Sequence, residues 1–355
     1  MRRWMCGLMA VLVGLMLTAA SPQAQTAPES AEAAAAAVAP LGRTLGGDAS
    51  LWREIRRGEQ GYVSIPDQQA AVLVQSGGES WRLFRNGPYK TWSGYLLLGS
   101  VALISLFFAL RGRVGIEDGR SGYEVERFNG FERFVHWLTA ISFIVLALTG
   151  LNLMFGRYLL MPILGKDAFA GLAMAGKLAH VYLGFAFMAG IALMFLTWVR
   201  YNIPSRMDFT WFARGGGLLG GRHPSSGKFN AGQKLIFWLT VLGGLSLSLS
   251  GLQLIFPFTF SFFGKTFAFL NLFGLGLPAD LTPIAEQQLA AVWHGAIAVL
   301  MIAVIIGHIY IGSIGMEGAF EAMGTGHVDL NWARTHHDLW VEDLERKGEI
   351  RAPAE

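Results

Sequence analysis

The sequence predicts an all-α membrane protein: a four-helix bundle with one extra N-terminal transmembrane helix. Mean hydropathy is +0.42, and only 15% of the 355 residues are charged. Several apolar stretches run for about 20 residues, enough to cross the hydrocarbon of a bilayer. The last of them, Leu289 to Gly312, carries two histidines, His294 and His308. Their fourteen-residue spacing is ~1400° of helical rotation, so both imidazoles leave one face. It is also a rise of about 21 Å, which sets one ring near each membrane surface. Ionisable side chains inside a span are costly to bury and point to function.

The N-terminus reads as a signal peptide over residues 1–24. Arg2 and Arg3 precede the apolar run Met5 to Leu17, then small residues offer cleavage after Ala20 or Ala24. The only cysteine, Cys6, lies in this leader, so the mature chain has no disulfide, iron–sulfur ligand set or CxxCH haem attachment. Residues 26–45 have the Ala/Pro/Gln-rich composition of a disordered linker. Residues 25–90 form an extracytoplasmic segment, with Trp52, Tyr62, Trp81 and Tyr89 set among charges and glycines. It is too short for a large core and suits docking on a partner or the membrane surface.

The extra transmembrane helix occupies residues 91–111 and ends at Arg111 and Arg113. Core spans follow at His136 to Phe155, His180 to Val199, Leu235 to Phe256 and Leu289 to Gly312, within a core unit 125–315; residues 316–355 are a tail. Between the second and third core spans, Arg200, Arg206, Arg214, Arg222, Lys228 and Lys234 oppose a single Asp208. The next connection has Lys265 against Asp280 and Glu286. The positive-inside rule puts the first connection in the cytoplasm, the second outside and the tail inside. A cleaved leader followed by alternating spans gives the same topology independently.

On that topology His136 and His308 share the inner depth, and His180 and His294 the outer one. Two histidine pairs at two depths describe a diheme b-type bundle, since facing helices build cofactor sites and histidine is a usual axial ligand of haem iron. One histidine at a helix end is most often a cap or a bonded core residue; four in matched pairs are not. Two isolated pairs also fall short of the four ligands of a structural zinc site. His223, His327, His336 and His337 lie in polar loops or the tail and read as solvent-facing.

Gly184, Gly295 and Gly307 adjoin these histidines in sequence, and Gly150 and Gly251 lie in the first and third core spans. Small residues let a flat macrocycle approach, although close helix packing explains each glycine equally well. Arg127, Arg133 and Lys177 are candidate partners for haem propionates. Asn230 is placed to cap the third core span, whose entrance also offers N–H donors for a quinone carbonyl.

The set Arg133-Phe134-Val135-His136-Trp137, Ala147-Leu148-Thr149-Gly150, Gly176 to His180, Asn202-Ile203-Pro204, KFNAGQK at 228–234 and His308-Ile309-Tyr310 closely resembles the gamma, or cytochrome b, subunit of membrane-bound respiratory formate dehydrogenase. The tail from Gly312 to Trp340, with His336-His337, belongs to the same resemblance, which covers about residues 125–342. The histidines alone also suit the cytochrome b of membrane nickel–iron hydrogenases. The leader, residues 26–90 and the extra span depart from shorter members of the family.

The resemblance implies two haem b groups, on His180 and His294 outside and on His136 and His308 inside. It implies quinone binding at Asn230, Gly232, Gln233 and His308. It implies an iron–sulfur (beta) subunit and a molybdenum- or tungsten-pterin catalytic (alpha) subunit on the periplasmic side of the bacterial inner membrane. Formate oxidation would reside in that catalytic partner, and this chain would pass the electrons to membrane quinone in respiration.

Overall fold

The computed structural model describes residues 78–217 and 223–350. The expected leader, linker and most of the extracytoplasmic segment lie outside the described residues. The chain divides into two units, 1–87 and 88–355. In the first, helix α1 (Gly78–Phe84) carries a Glu79–Arg82 ion pair of 2.6 Å on its exposed face.

The second unit is the membrane bundle. Helix α2 (Lys90–Arg111) is followed by the short strand β1 (Glu124–Glu126), then the long helices α3 (Gly130–Leu159) and α4 (Lys166–Trp198). Helix α5 (Arg206–Ala213) leads to α6 (Ala231–Ile255), α7 (Phe262–Asn271) and α8 (Pro283–Tyr310). The tail holds β2 (His327–Asp329), α9 (Leu330–His336) and α10 (Asp338–Lys347). Among the described residues five helices are long and apolar enough to cross a membrane, in keeping with the expected four spans plus one. Helix α3 packs along α4 and α6 along α8, with α4 against α6; α2 lies on α8. Outward-facing Leu98, Leu103 and Leu110 on α2 are largely exposed, which suits lipid contact.

The core helices run longer than hydropathy alone suggests, because polar signals outside the apolar stretch start and stop them. Asn129 caps α3 by accepting from the Glu132 N–H at 2.9 Å, and the Glu132 carboxylate accepts from the Asn129 N–H at 3.0 Å. This reciprocal box satisfies two of the free donors at the helix start. His136 therefore sits two turns inside its helix. His180 lies about four turns into α4, so it does not open that helix as the sequence suggested.

Midway along the bundle, Phe143, Phe187, Ile191, Leu247 and Met301 form a buried apolar cluster. Phe143, Phe187 and Met301 each follow a proposed ligand by seven residues, or about 10 Å of helix. The layer therefore separates the two histidine pairs.

At the end of the bundle that carries His136, the tail is a folded cap. Strand β2 pairs antiparallel with β1, Val125 opposite Val328, and both valines are buried. Trp332, Trp340, Val341 and Leu344 join Phe128, Val135, Trp198 and Phe237 in one core. Two expectations are corrected here. His336 and His337 are buried, at 5% and 0% exposure, and His223 packs against His336 with ring centroids 4.2 Å apart. Of these four histidines only His327 is exposed, on β2. Polar composition misled because the tail folds back under the bundle and closes over its own histidines.

The opposite end is closed by a carboxylate. Glu286, on the first turn of α8, is 3% exposed and accepts from Gln253 Nε2 at 2.6 Å, Phe263 N at 3.1 Å and Gly264 N at 2.6 Å. One side chain thus ties α6, α7 and α8 together. Replacing it strands the Phe263 and Gly264 N–H groups, each at a cost of about 1–3 kcal/mol, while Gln253 Nε2 keeps the Glu286 backbone carbonyl. Glu286→Ala is expected to lower the melting temperature in detergent and expose residues 256–282 to protease, whereas Glu286→Gln, which keeps one acceptor, should fall between.

Candidate haem and quinone sites

The four histidines come together as two pairs, in the combination read from depth. His136 on α3 faces His308 on α8, and His180 on α4 faces His294, also on α8, each with ring centroids 6.2 Å apart. A metal–imidazole bond is about 2 Å long. Two rings gripping one iron from opposite sides therefore have centroids roughly 6 Å apart, so both pairs are spaced for a shared axial metal.

The His180–His294 pair is oriented by hydroxyls. Thr149 Oγ1 on α3 lies 2.8 Å from His180 Nδ1, and Ser250 Oγ on α6 lies 2.9 Å from His294 Nδ1. Each hydroxyl already donates its one hydrogen along its own helix, Thr149 to the Val145 carbonyl at 2.7 Å and Ser250 to the Ser246 carbonyl at 2.8 Å. Toward the imidazole it is left only as an acceptor. Both rings therefore carry their proton on Nδ1 and keep a lone pair on Nε2. The other pair is built differently: His136 Nδ1 is buried without a partner.

The glycines divide. Beside Gly184 and Gly307 an added Cβ would meet nothing within 4 Å, which leaves open space next to His180 and His308. Gly150 and Gly251 stand against the ligand rings, with 3.6 and 3.4 Å from an added Cβ to Cε1 of His180 and His294. Gly295 makes room for Tyr89 of the neighbouring helix, so close packing is its role. The repeated pair Thr149-Gly150 and Ser250-Gly251, a hydroxyl followed by a glycine, is the sequence signal for this construction. Reading the glycines without the preceding residue misses it.

At the other end Asn230 and Gln233 form a second capping box. Asn230 Oδ1 accepts from the Gln233 N–H at 2.9 Å, and Gln233 Oε1 accepts from the Asn230 N–H at 3.0 Å. Capping was the role read from sequence for Asn230, and it occupies the oxygens of both side chains. Gly232 faces Trp211, whose ring an added Cβ would approach to 3.0 Å. His308 is paired with His136, and among the described residues no hydrogen bond joins it to Asn230, Gly232 or Gln233.

The candidate propionate partners at this end are engaged with the tail. Arg133 donates to the carbonyls of Met323 and Gly324. Arg127 is buried among Phe128, Trp332 and Trp340, and it donates to the Lys228 carbonyl at 2.7 Å and to His337 Nε2 at 2.9 Å. Burial pushes the Arg127 guanidinium down to about 9, with the Glu132 carboxylate opposing. His337 Nδ1 lies 2.8 Å from the Gly227 carbonyl, so both ring nitrogens are committed with the ring neutral. Lys177 lies on an exposed position of α4.

A bundle of membrane-length helices, joined by facing imidazoles at two levels, is the architecture of a membrane cytochrome of the b type. The chain belongs to the prokaryotic cytochrome b561 family, whose model matches residues 127–326. That membership makes it a haem b protein and a multi-pass bacterial membrane protein. It is 28% identical over 230 residues to the formate dehydrogenase cytochrome b556(fdo) subunit of Escherichia coli strain K12, covering 64% of this chain and 97% of that one. It is 26% identical to the nitrate-inducible formate dehydrogenase cytochrome b556(Fdn) subunit of the same strain, covering 62% and 92%. A formate dehydrogenase cytochrome b556 subunit of Haemophilus influenzae is 28% identical, with coverage of 59% and 79%. These relatives carry the name that the motifs suggested.

Burial, then the Arg127 charge, hold the proton affinity of His337 well below normal; burial, His223 and Arg127 hold that of His336 down to about 3. An undocked tail would take up these protons near pH 6.5, at about 1.4 kcal/mol per histidine per pH unit. The docked tail cannot follow, so docking is fully present above pH 6.5 and weakens as pH falls from there towards 3. Amide protection over residues 330–344, taken relative to the intrinsic exchange rate at each pH, should fall between pH 7 and 5 in the native chain and lose that dependence in His336→Asn/His337→Asn.

Proposed function

We propose that this chain is the diheme b-type electron-transfer subunit of a membrane formate dehydrogenase, delivering electrons to quinone. The observation that carries the reading is the pair of histidine pairs, both at 6.2 Å between centroids and separated by an apolar layer. The formate dehydrogenase relatives support the donor.

In this reading His180 and His294 would hold the outer haem, and His136 and His308 the inner one. The haems supply one-electron carriers. The protein's part is to fix the ring nitrogens, exclude water between the sites and hold the carriers at two depths. Electrons enter from an iron–sulfur subunit docked on the periplasmic face, itself fed by a molybdenum- or tungsten-pterin subunit that oxidises formate. They leave at the cytoplasmic end, where the start of α6 (Asn230, Gly232, Gln233) and His308 form the quinone site. Since Asn230 Oδ1 and Gln233 Oε1 serve the capping box, donors to a quinone carbonyl come from side-chain amide or backbone N–H groups. Quinone reduction there takes protons from the cytoplasm while formate releases its proton outside. The signal peptide, the segment 25–90 and the extra helix 91–111 place the N-terminal segment on the periplasmic side.

Visible difference spectra of membranes holding the whole complex test the proposal. Formate should reduce about two b-type haems per chain. Reduction by hydrogen but not formate would move the chain to a hydrogenase complex, and no b-type signal with dithionite would refute the haem reading. His294→Ala is expected to remove one haem and stop formate-driven quinone reduction; two haems retained would reject the ligand assignment. Asn230→Ala should keep both haems, at a cost of about 1 kcal/mol in stability from the lost cap.

A further inference from the structure

We infer that Thr149 and Ser250 are positioning residues that lower the reduction potential of the haem held by His180 and His294, and so set the direction of electron flow. The inference rests on the diheme reading above and deepens it.

Thr149 and Ser250 occupy equivalent places on two different helices. Each reaches across to a histidine of the next helix, at 2.8 and 2.9 Å, and each is followed by a glycine lying against that same ring. Because both hydroxyl protons go to backbone carbonyls one turn back, both oxygens accept from Nδ1–H. An acceptor at Nδ1 draws the ring proton away and makes Nε2 a stronger donor to a metal. A more basic ligand favours the higher charge on iron, that is, the oxidised state. Two such acceptors act together at this site. At the other site His136 Nδ1 is buried with no acceptor among the described residues, so the same stabilisation is absent from that ring.

The asymmetry makes the His180–His294 site the harder to reduce and the His136–His308 site the easier. An electron arriving from an iron–sulfur donor at the first site therefore runs downhill to the second. Each transfer moves one electron from the reduced to the oxidised iron, and the Nδ1 protons stay on their rings. Hydrogen-bonded hydroxyls do this without burying a carboxylate beside the ligand, which would cost far more in a span.

The test is a redox titration, followed in the b-type absorbance band, of the whole complex in membranes. His294→Ala, which removes the outer haem, identifies which of the two titration steps belongs to it. Ser250→Ala and Thr149→Val are then expected to raise that step several-fold in its one-electron equilibrium, and the double variant about tenfold or more, or ~59 mV per tenfold. The other step should stay put. Thr149→Ser and Ser250→Thr keep the acceptor and should restore the native value. An unmoved outer step in Ser250→Ala, with both haems present, would overturn the inference, as would an equal shift of both steps. If Thr149→Val loses haem, Ser250→Ala carries the result. A native complex lacking two b-type steps would refute the diheme reading itself, an outcome separate from an unmoved step in the variants.

Discussion

The whole bundle depends on what an imidazole requires when it is removed from water. Each ring has two nitrogens, and within hydrocarbon neither can be left to solvent. At His180 and His294 one nitrogen is satisfied by a hydroxyl from the adjoining helix, which leaves the other to look inward as a bare lone pair. That single commitment decides tautomer, ring orientation and which helices must be neighbours. The pairing of α3 with α4 and of α6 with α8 is the packing consequence. The facing of His180 and His294, with centroids 6.2 Å apart, follows from the same bonds.

The two ends of the bundle solve a related problem by other means. Helix ends leave N–H groups unsatisfied, and Asn129–Glu132 and Asn230–Gln233 close two of them by reciprocal bonds. Glu286 does the same for the start of α7, accepting from two of its neighbours' backbone groups. At the tail end Arg127 and His337 are mutual partners in a pocket of Phe128, Trp332 and Trp340. Polar groups near the membrane surface are thus spent on fixing helix entrances and on docking the tail.

Much of this was legible in the chain itself. Hydropathy located the spans, and the fourteen residues between His294 and His308 placed two histidines on one face because helical geometry is local. The partner assignments followed from depth, which a topology argument supplies. What could not be read were contacts set by three-dimensional folding. His336 and His337 sit in a polar, charged tail, and nothing local says that Trp332, Trp340 and Leu344 will turn under the bundle and bury them. Arg127 looked like a basic flank suited to a propionate, but the fold gives its guanidinium to His337 and Lys228. Thr149, although part of the Ala147-to-Gly150 motif, and Ser250 do not announce a contact with a histidine, because a hydroxyl in a span usually does no more than bond its own helix.

The apolar layer between the histidine pairs has a consequence of its own. Phe143, Phe187, Ile191, Leu247 and Met301 present no group that can take or pass a proton. An electron can tunnel through such a hydrocarbon gap of a few side chains, whereas a proton needs a chain of hydrogen-bonding groups to hop along. The layer therefore behaves as a conductor for one particle and an insulator for the other. Under the proposed function, charge crossing it would not be cancelled on the way, and the bundle's middle would act as the dielectric of a small capacitor charged by each turnover.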